Sequence, residues 1–339
     1  MPSNQVNATT NKKIAEGIAD NILGDNIVFT QFLGRAKKPK TGKQLEKTIK
    51  VKKSSQGGSY RGGDLFGTNV EDNFITIVED YSFYEIPVVL NGTDVALNTL
   101  TGGKAHDLEK TNIESQMQDL ADLMGNHFYQ SQSNDKDIIG LEDLIDDGTN
   151  TTTIHGQSRS QYTALQATRT DSSGTISLNK MRTLQNSVSV GMHQPDMYVT
   201  TRAGFGYYEQ LLQSSERIYK KANENGQNLI GGTGFSTLFY EGAPVIKDDK
   251  CTAGSMYAIN LDSMCMYATP NTSLGKNVVP FESSFEGSPY SKVPGLGFSW
   301  SDWIMSENSD QAIAHIYWMG QMFCTNFRLN GVLHSITGI

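Results

Sequence analysis

The sequence predicts an α+β fold drawn out into an elongated subunit. Three observations lead there. Residues 45–84 read as a long two-stranded hairpin with a glycine-rich end. One apolar stripe runs the length of a helix over about 103–131. From Ile176 onward helices and short strands alternate, and the chain finishes in strand-rich segments.

The chain has 339 residues, room for two compact domains or one extended subunit. Glycine is plentiful (33 residues) and the apolar share modest (37%), which suits many turns and loops rather than one dense core. Apolar and aromatic residues are spread throughout, which argues against a disordered chain.

Residues 1–44 are expected to form an N-terminal arm. Ile14, Ile18, Ile22 and Leu23 recur at helical spacing. Arg35, Lys37, Lys38, Lys40 and Lys43 follow, broken by Pro39 and Gly42. This basic run reads either as a solvated linker or as a contact with an acidic neighbour or with nucleic acid.

In the hairpin, Lys47, Ile49, Val51 and Lys53 alternate with Thr48, Lys50 and Lys52. Glycines 57, 58, 62, 63 and 67 fill the end, and Phe74–Val78 with Tyr81, Phe83 and Tyr84 return. A lone two-stranded hairpin is marginal in water, so a surface outside this subunit is expected to hold it. The tip residues Tyr60, Arg61, Asp64 and Phe66 are the candidates for that contact.

The predicted helix follows Gly102 and Gly103. Acidic Asp107 and Glu109 lie near its positive N-terminal end. Ile113, Met117, Leu120, Met124 and Phe128 form its stripe. At 1.5 Å per residue it would be roughly 40 Å long, a spine for the subunit.

Residues 146–175, rich in Thr, Ser, Asp and Gly, read as a loop with room for a short helix. Leu178, Met181, Leu184 and Val188 mark a helix that stops near Gly191. Met197–Thr201, Phe239–Ile246 and Met256–Asn260 read as strands, 203–213 as a helix and 221–236 as a loop. Phe298–Met305, Ala312–Met319 and Gln321–Leu329 complete the strands.

Chemistry-bearing patterns are missing. HExxH, the P-loop and GxSxG do not occur, and the glycine clusters lack the strand–glycine–helix order of a dinucleotide site. No two of the six histidines stand three or four residues apart. A Cys324–His315 nucleophile pair is the kind of combination any chain of this size contains. Cys251, Cys265 and Cys324 read as reduced, buried thiols. The pairs Asp146–Asp147 and Asp248–Asp249 read as solvated turns rather than cation sites, since they lack calcium-loop spacing. No catalytic residue, metal or cofactor is expected. The net charge of −8 and pI near 5.3 argue against a tight DNA binder. There is no secretory pattern at the N-terminus and no run of about 18 apolar residues, so a chain folding in cytoplasm, away from membranes, is expected.

Several segments, in order, are similar to those of a known family. Asp80–Val88 followed by Asn91-Gly92 resembles its passage from hairpin to spine helix. Ile139–Ile145 resembles the element after the spine, and Tyr240–Val245, Asp248-Asp249 and Gly254–Asn260 its axial-domain strands. Asn326–Leu333 resembles its terminal strand. The family is that of the major capsid proteins of tailed bacteriophages, with the Hong Kong 97-type shell fold.

The resemblance implies an arm (1–44), an extended hairpin loop (45–84), a peripheral domain with the spine helix (85–175), an axial domain (176–290) and peripheral return strands (291–339). It implies a structural protein that assembles with itself into hexamers and pentamers of an icosahedral shell around double-stranded DNA. The protein would stand in the virion capsid, after a period in the host cytoplasm. The implied partners are a portal protein, nonspecifically contacted DNA, and separate scaffolding and decoration proteins where such exist. The arm is shorter than the scaffolding segment that some relatives remove. The lysines and asparagines that some relatives crosslink have counterparts in Lys50, Lys52, Lys53, Asn326 and Asn330, with nothing in the sequence to say that they react. Competing readings are an encapsulin-like compartment shell, a tail or decoration protein, and an α/β enzyme.

Overall fold

A computed structural model describes residues 26–39, 42–100, 108–213, 238–269, 278–280, 298–301 and 303–337. The first apolar stripe (Ile14 to Leu23), Lys40, the start of the predicted spine and the loop over 221–236 lie outside the described residues.

Helix α1 (Ile27–Gly34) comes first. Strands β1 (Gln44–Lys50) and β2 (Phe74–Asp80) pair antiparallel, from Gln44 opposite Asp80 to Lys50 opposite Phe74. The chain turns at Tyr81 into β3 (Ser82–Asn91), then α2 (Gly92–Leu100), α3 (Leu108–Tyr129) and the single turn α4 (Leu141–Leu144). A miniature hairpin of β4 (Thr153–Ile154) and β5 (Gln157–Ser158) precedes β6 (Thr168–Gly174). Next come α5 (Leu178–Val188), β7 (Met197–Thr200), α6 (Arg202–Gln213), β8 (Leu238–Tyr240), β9 (Ala243–Lys247) and β10 (Met256–Ile259). Then β11 (Met264–Thr269), β12 (Val278–Pro280), β13 (Phe298–Ser301), β14 (Ile304–Met305) and β15 (Gln311–Cys324) lead to the last strand, β16 (Gly331–Ile336).

Two larger sheets organise these elements. One has the order β6-β16-β10-β7-β9-β8. In the other, β15 is the hub that pairs with β3, β11, β13 and β14. Strand alternation explains the core. In β10, Met256 and Ala258 enter a smaller cluster with Met181, Leu184 and Tyr208, while Tyr257 and Ile259 face the main core. The sheet is therefore covered on both faces, which is why its central strands read as continuous apolar runs.

The spine helix α3 buries the predicted stripe of Ile113, Met117, Leu120, Met124 and Phe128. Phe128 meets Phe32 of α1 at 5.1 Å between ring centres. Each such fully buried side chain contributes roughly 1.5–3 kcal/mol. Ser177 caps α5 by accepting the Lys180 N–H, and Gly191 beyond it has φ +64°.

The structure corrects several expectations. Residues 146–175 are not one loop: β6 lies there, parallel to β16 at a sheet edge. Its sequence, TRTDSSG, has no apolar period because an edge strand can leave its side chains in water. Phe239–Ile246 is two strands, joined at Glu241-Gly242, whose φ values of +46° and +92° make a tight hairpin turn. The two strands expected on either side of Gly320 are one, β15. Tyr81–Tyr84 do not continue the hairpin ladder; β3 pairs with β15 instead. The terminal segment, expected among peripheral return strands, inserts as β16 between β6 and β10, because Val332 and Leu333 fill opposite cores. Conversely, β11, expected with the axial strands, pairs with β15.

Candidate functional site

The hairpin carries a cluster of strongly exposed apolar groups: Tyr60, Leu65, Phe66, Val70 and Phe74. Its ladder ends at Lys50–Phe74, with one further bond from Val51 N–H to the Asn73 carbonyl (2.9 Å). Beyond it the chain is held by local polar contacts. The Ser55 amide and hydroxyl donate to Glu71, and the Asn69 amide donates to Gln56 Oε1 (3.3 Å). Those Ser55 bonds, with help from Ser54, pull the Glu71 carboxyl down to about 2.

At the tip, Asp64 Oδ2 accepts the Arg61 amide (2.7 Å) and the Arg61 carbonyl accepts the Asp64 amide (3.0 Å). This reciprocal pair makes a turn that brings Tyr60 and Phe66 edge to face at 5.1 Å. The structure thus gathers all four predicted tip residues into one small unit. Tyr60 and Phe66 are both 68% exposed, and Leu65 and Val70 are almost wholly so. Among the described residues, the two rings contact each other and remain largely in solvent.

The arm residues are placed differently. The Lys37 amide donates to the Met266 carbonyl (2.9 Å) and its carbonyl accepts the Ala268 amide (3.1 Å), so the segment lies along the edge of β11. It blunts that edge strand while the side chains of Arg35, Lys37 and Lys38 project into solvent. Among the described residues, no hydrogen bond joins Arg35, Lys37 or Lys38 to the hairpin tip.

A second exposed surface was not singled out from the sequence. The outward face of β3 carries Phe83 (58% exposed), Glu85, Pro87 and Val89, opposite Met319, Tyr317, His315 and Ile313 of β15. Ile304 of β14 extends it beside Ile313. His315 Nδ1 lies 3.1 Å from Glu85 and its ring stacks on Tyr317. The signal was present in SFYEIPVVL: this strand is apolar at both parities, although only one face enters the core.

Beneath the hairpin the interior is strongly polar. Arg159, fully buried, donates to the carbonyls of Leu165, Thr151, Asp143 and Leu144. Its charge faces Asp146, also fully buried, at 3.5 Å, and Arg169 reaches the other Asp146 oxygen at 3.1 Å. Burial alone would raise the Asp146 carboxyl. Amides of Thr151, Gly148 and Asn150 and the Arg159 charge outweigh it and hold the group below its ordinary range. Asp146 is therefore no solvated turn, and its charge is already balanced. Asp248 is also buried, accepting from Val28 N–H, Tyr129 OH and Lys250 N–H, while exposed Asp249 pairs with Arg202. Burial leaves the Asp248 carboxyl raised. Asp248 ties α1, α3 and the β9–β10 connection together. Among the described residues, no group of three or more His, Cys, Asp or Glu side chains is arranged to hold a metal ion. The three cysteines are free and buried.

The chain matches no family profile and no curated protein sequence. Its fold does match solved structures. The cyanophage A-1(L) capsid asymmetric unit aligns over 96% of this chain and 97% of the other, with TM-score 0.73 and 16% identity. The capsid of the myovirus XM1 aligns over 96% of each chain, with TM-score 0.54 and 11% identity. The SrpI encapsulin of Synechococcus elongatus covers 98% of this chain and 95% of its own, with TM-score 0.61 and 10% identity. Along nearly its whole length, the chain has the Hong Kong 97-type fold of tailed-phage capsid subunits.

Proposed function

We propose that this protein is the major capsid protein of a tailed bacteriophage. It assembles with itself into hexamers and pentamers of an icosahedral shell that encloses double-stranded DNA. The observation that carries this reading is the exposed apolar hairpin tip, on a fold whose full length coincides with phage capsid subunits. A stable shell needs large contacts, and obligate interfaces commonly bury 2,000 Å² or more, roughly. The tip around Tyr60, Arg61, Asp64 and Phe66 and the outward β3 face would contribute to such contacts without a larger core. The acidic balance suits a container wall that lies beside DNA without gripping it. Arg35, Lys37, Lys38 and Lys40 are the positions proposed to meet an acidic neighbour or the genome. In the virion, a portal protein and, where present, scaffolding and decoration proteins would be its partners.

The test is assembly of an Arg61→Glu variant. The reading expects this change to lower the yield of large assemblies at least about tenfold, the effect of roughly 1.4 kcal/mol, with the thermal unfolding of the isolated subunit unchanged. Normal particles of normal stability would overturn the role given to the tip.

An encapsulin-like compartment is the second reading, favoured by the match to the SrpI shell. The contents of native particles separate the two: nuclease-protected double-stranded DNA supports the capsid, a packaged enzyme the compartment.

A further inference from the structure

Where the long hairpin joins the body, one buried imidazole stands beside the apolar contacts of Leu45 and Ile77. His155 sits at the turn between β4 and β5, with φ +48°, followed by Gly156 at φ +74°. The turn lies against β2. The Val78 amide donates to the His155 carbonyl (3.1 Å), and Gln157 Nε2 donates to the Thr76 carbonyl (3.1 Å). The imidazole enters the body and is fully buried, stacked on Phe323 at 4.5 Å between ring centres.

Its two nitrogens have different partners. The Cys324 amide of β15 donates to Nε2 (3.2 Å), so Nε2 is the unprotonated nitrogen. Nδ1 then carries the proton and donates to Glu79 of β2 (3.0 Å). One neutral ring thus bridges the root of the hairpin to the hub strand of the body.

We propose that His155 is a proton-operated latch: with Nε2 unprotonated it clamps the hairpin root to β15, and a proton on Nε2 unfastens it. A proton there leaves two N–H donors facing each other, His155 Nε2 and the Cys324 amide, and the buried amide loses its acceptor. The surrounding charges divide. Glu79 on β2 attracts an imidazolium. Arg159, beyond β5, repels one and is itself compensated by Asp146. Asp143 lines the open groove of about 460 Å³ beside the ring, with its carboxylate engaged by Ser131, Gln132 and Thr151. From β15, the Cys324 thiol is pushed upward by burial and stays neutral, and Phe323 and Phe327 add no charge. Burial of the ring outweighs Glu79 and lowers its proton affinity. The sign follows. The folded state binds this proton less readily than the unfolded chain, so the latch is closed above the ordinary histidine value of about 6.5 and its stabilisation is lost as pH falls below it.

The test is amide exchange on the full unassembled chain, read as protection factors at Val78 and Cys324 from about pH 7.5 to about pH 5. The latch predicts at least a tenfold loss of protection at both amides across that range. Glu79→Gln removes the attracting charge and shifts the loss to lower pH. His155→Asn suits the left-handed turn backbone and keeps it, but removes the pH step. An unchanged step in His155→Asn, a shift to higher pH in Glu79→Gln, or flat protection in the parent chain would each overturn the proposal. The outcome does not depend on whether the protein builds a shell, because exchange is read before assembly.

Discussion

At the residue scale, the interior is set by a few buried polar groups whose partners come from distant parts of the chain. Arg159 satisfies four carbonyls and faces Asp146. Removing one member of such a buried set typically costs about 3–5 kcal/mol, since the partner charge stays behind unpaired. Arg159→Ala is therefore expected to lower the unfolding free energy of the full chain, read from urea titration, by an amount in that range. A change under about 0.5 kcal/mol, the size of an ordinary surface substitution, would contradict the role given to it. Asp146 adds a pH dependence of definite sign. Its folded carboxyl titrates below the ordinary value, so its stabilisation is present above about pH 4 and fades as pH falls through the lower, folded value. In Asp146→Asn, acid titration of stability is expected to flatten over that window. None of this was legible in the sequence. An Asp-Asp pair in a Thr- and Gly-rich stretch looks solvated, and the two arginines that bury it lie 13 and 23 residues further along.

At the element scale, the sequence is readable wherever one face of an element meets the core. The stripe of α3 and the capped helix α5 lie where their apolar spacing put them, because period and burial coincide there. Reading fails where pairing is nonlocal. Edge strand β6 is polar, and β16 reaches a sheet whose other strands lie far back in the chain. Gly320 misled for a definite reason. It is no strand breaker: a Cβ there would stand 2.5 Å from the Trp318 ring and 2.5 Å from the Tyr267 carbonyl oxygen, so glycine is what leaves room on β15 for the Trp318 ring and for the close approach of β11. The backbone oxygen cannot swing aside. Gly320→Ala is therefore expected to destabilise the chain by about 1–3 kcal/mol, the usual cost of overpacking. Thermal unfolding with an unshifted midpoint would show that the strands can part without penalty. The hairpin tip was legible in kind but not in detail. Glycine density gave a mobile end, while the Arg61–Asp64 turn and the Tyr60–Phe66 pair follow from hydrogen bonds that spacing alone does not reveal.

At the scale of the whole molecule, the two packed sheets and the spine leave an unusual remainder. The hairpin end projects Tyr60, Leu65, Phe66 and Val70, and the outward face of β3 presents Phe83 and Val89. A free monomer gains nothing from exposing these groups, and under the proposed function neighbouring subunits would bury them. The fold agrees with that of the cyanophage capsid subunit over 96% of this chain. The central claim is that the chain closes into shells. Negative-stain electron microscopy of the expressed full chain, alone and with a co-expressed scaffolding protein, tests it most directly. Closed shells, tubes or ring-shaped hexamers are the predicted result; a compact monomer or dimer at high concentration under both conditions would contradict it.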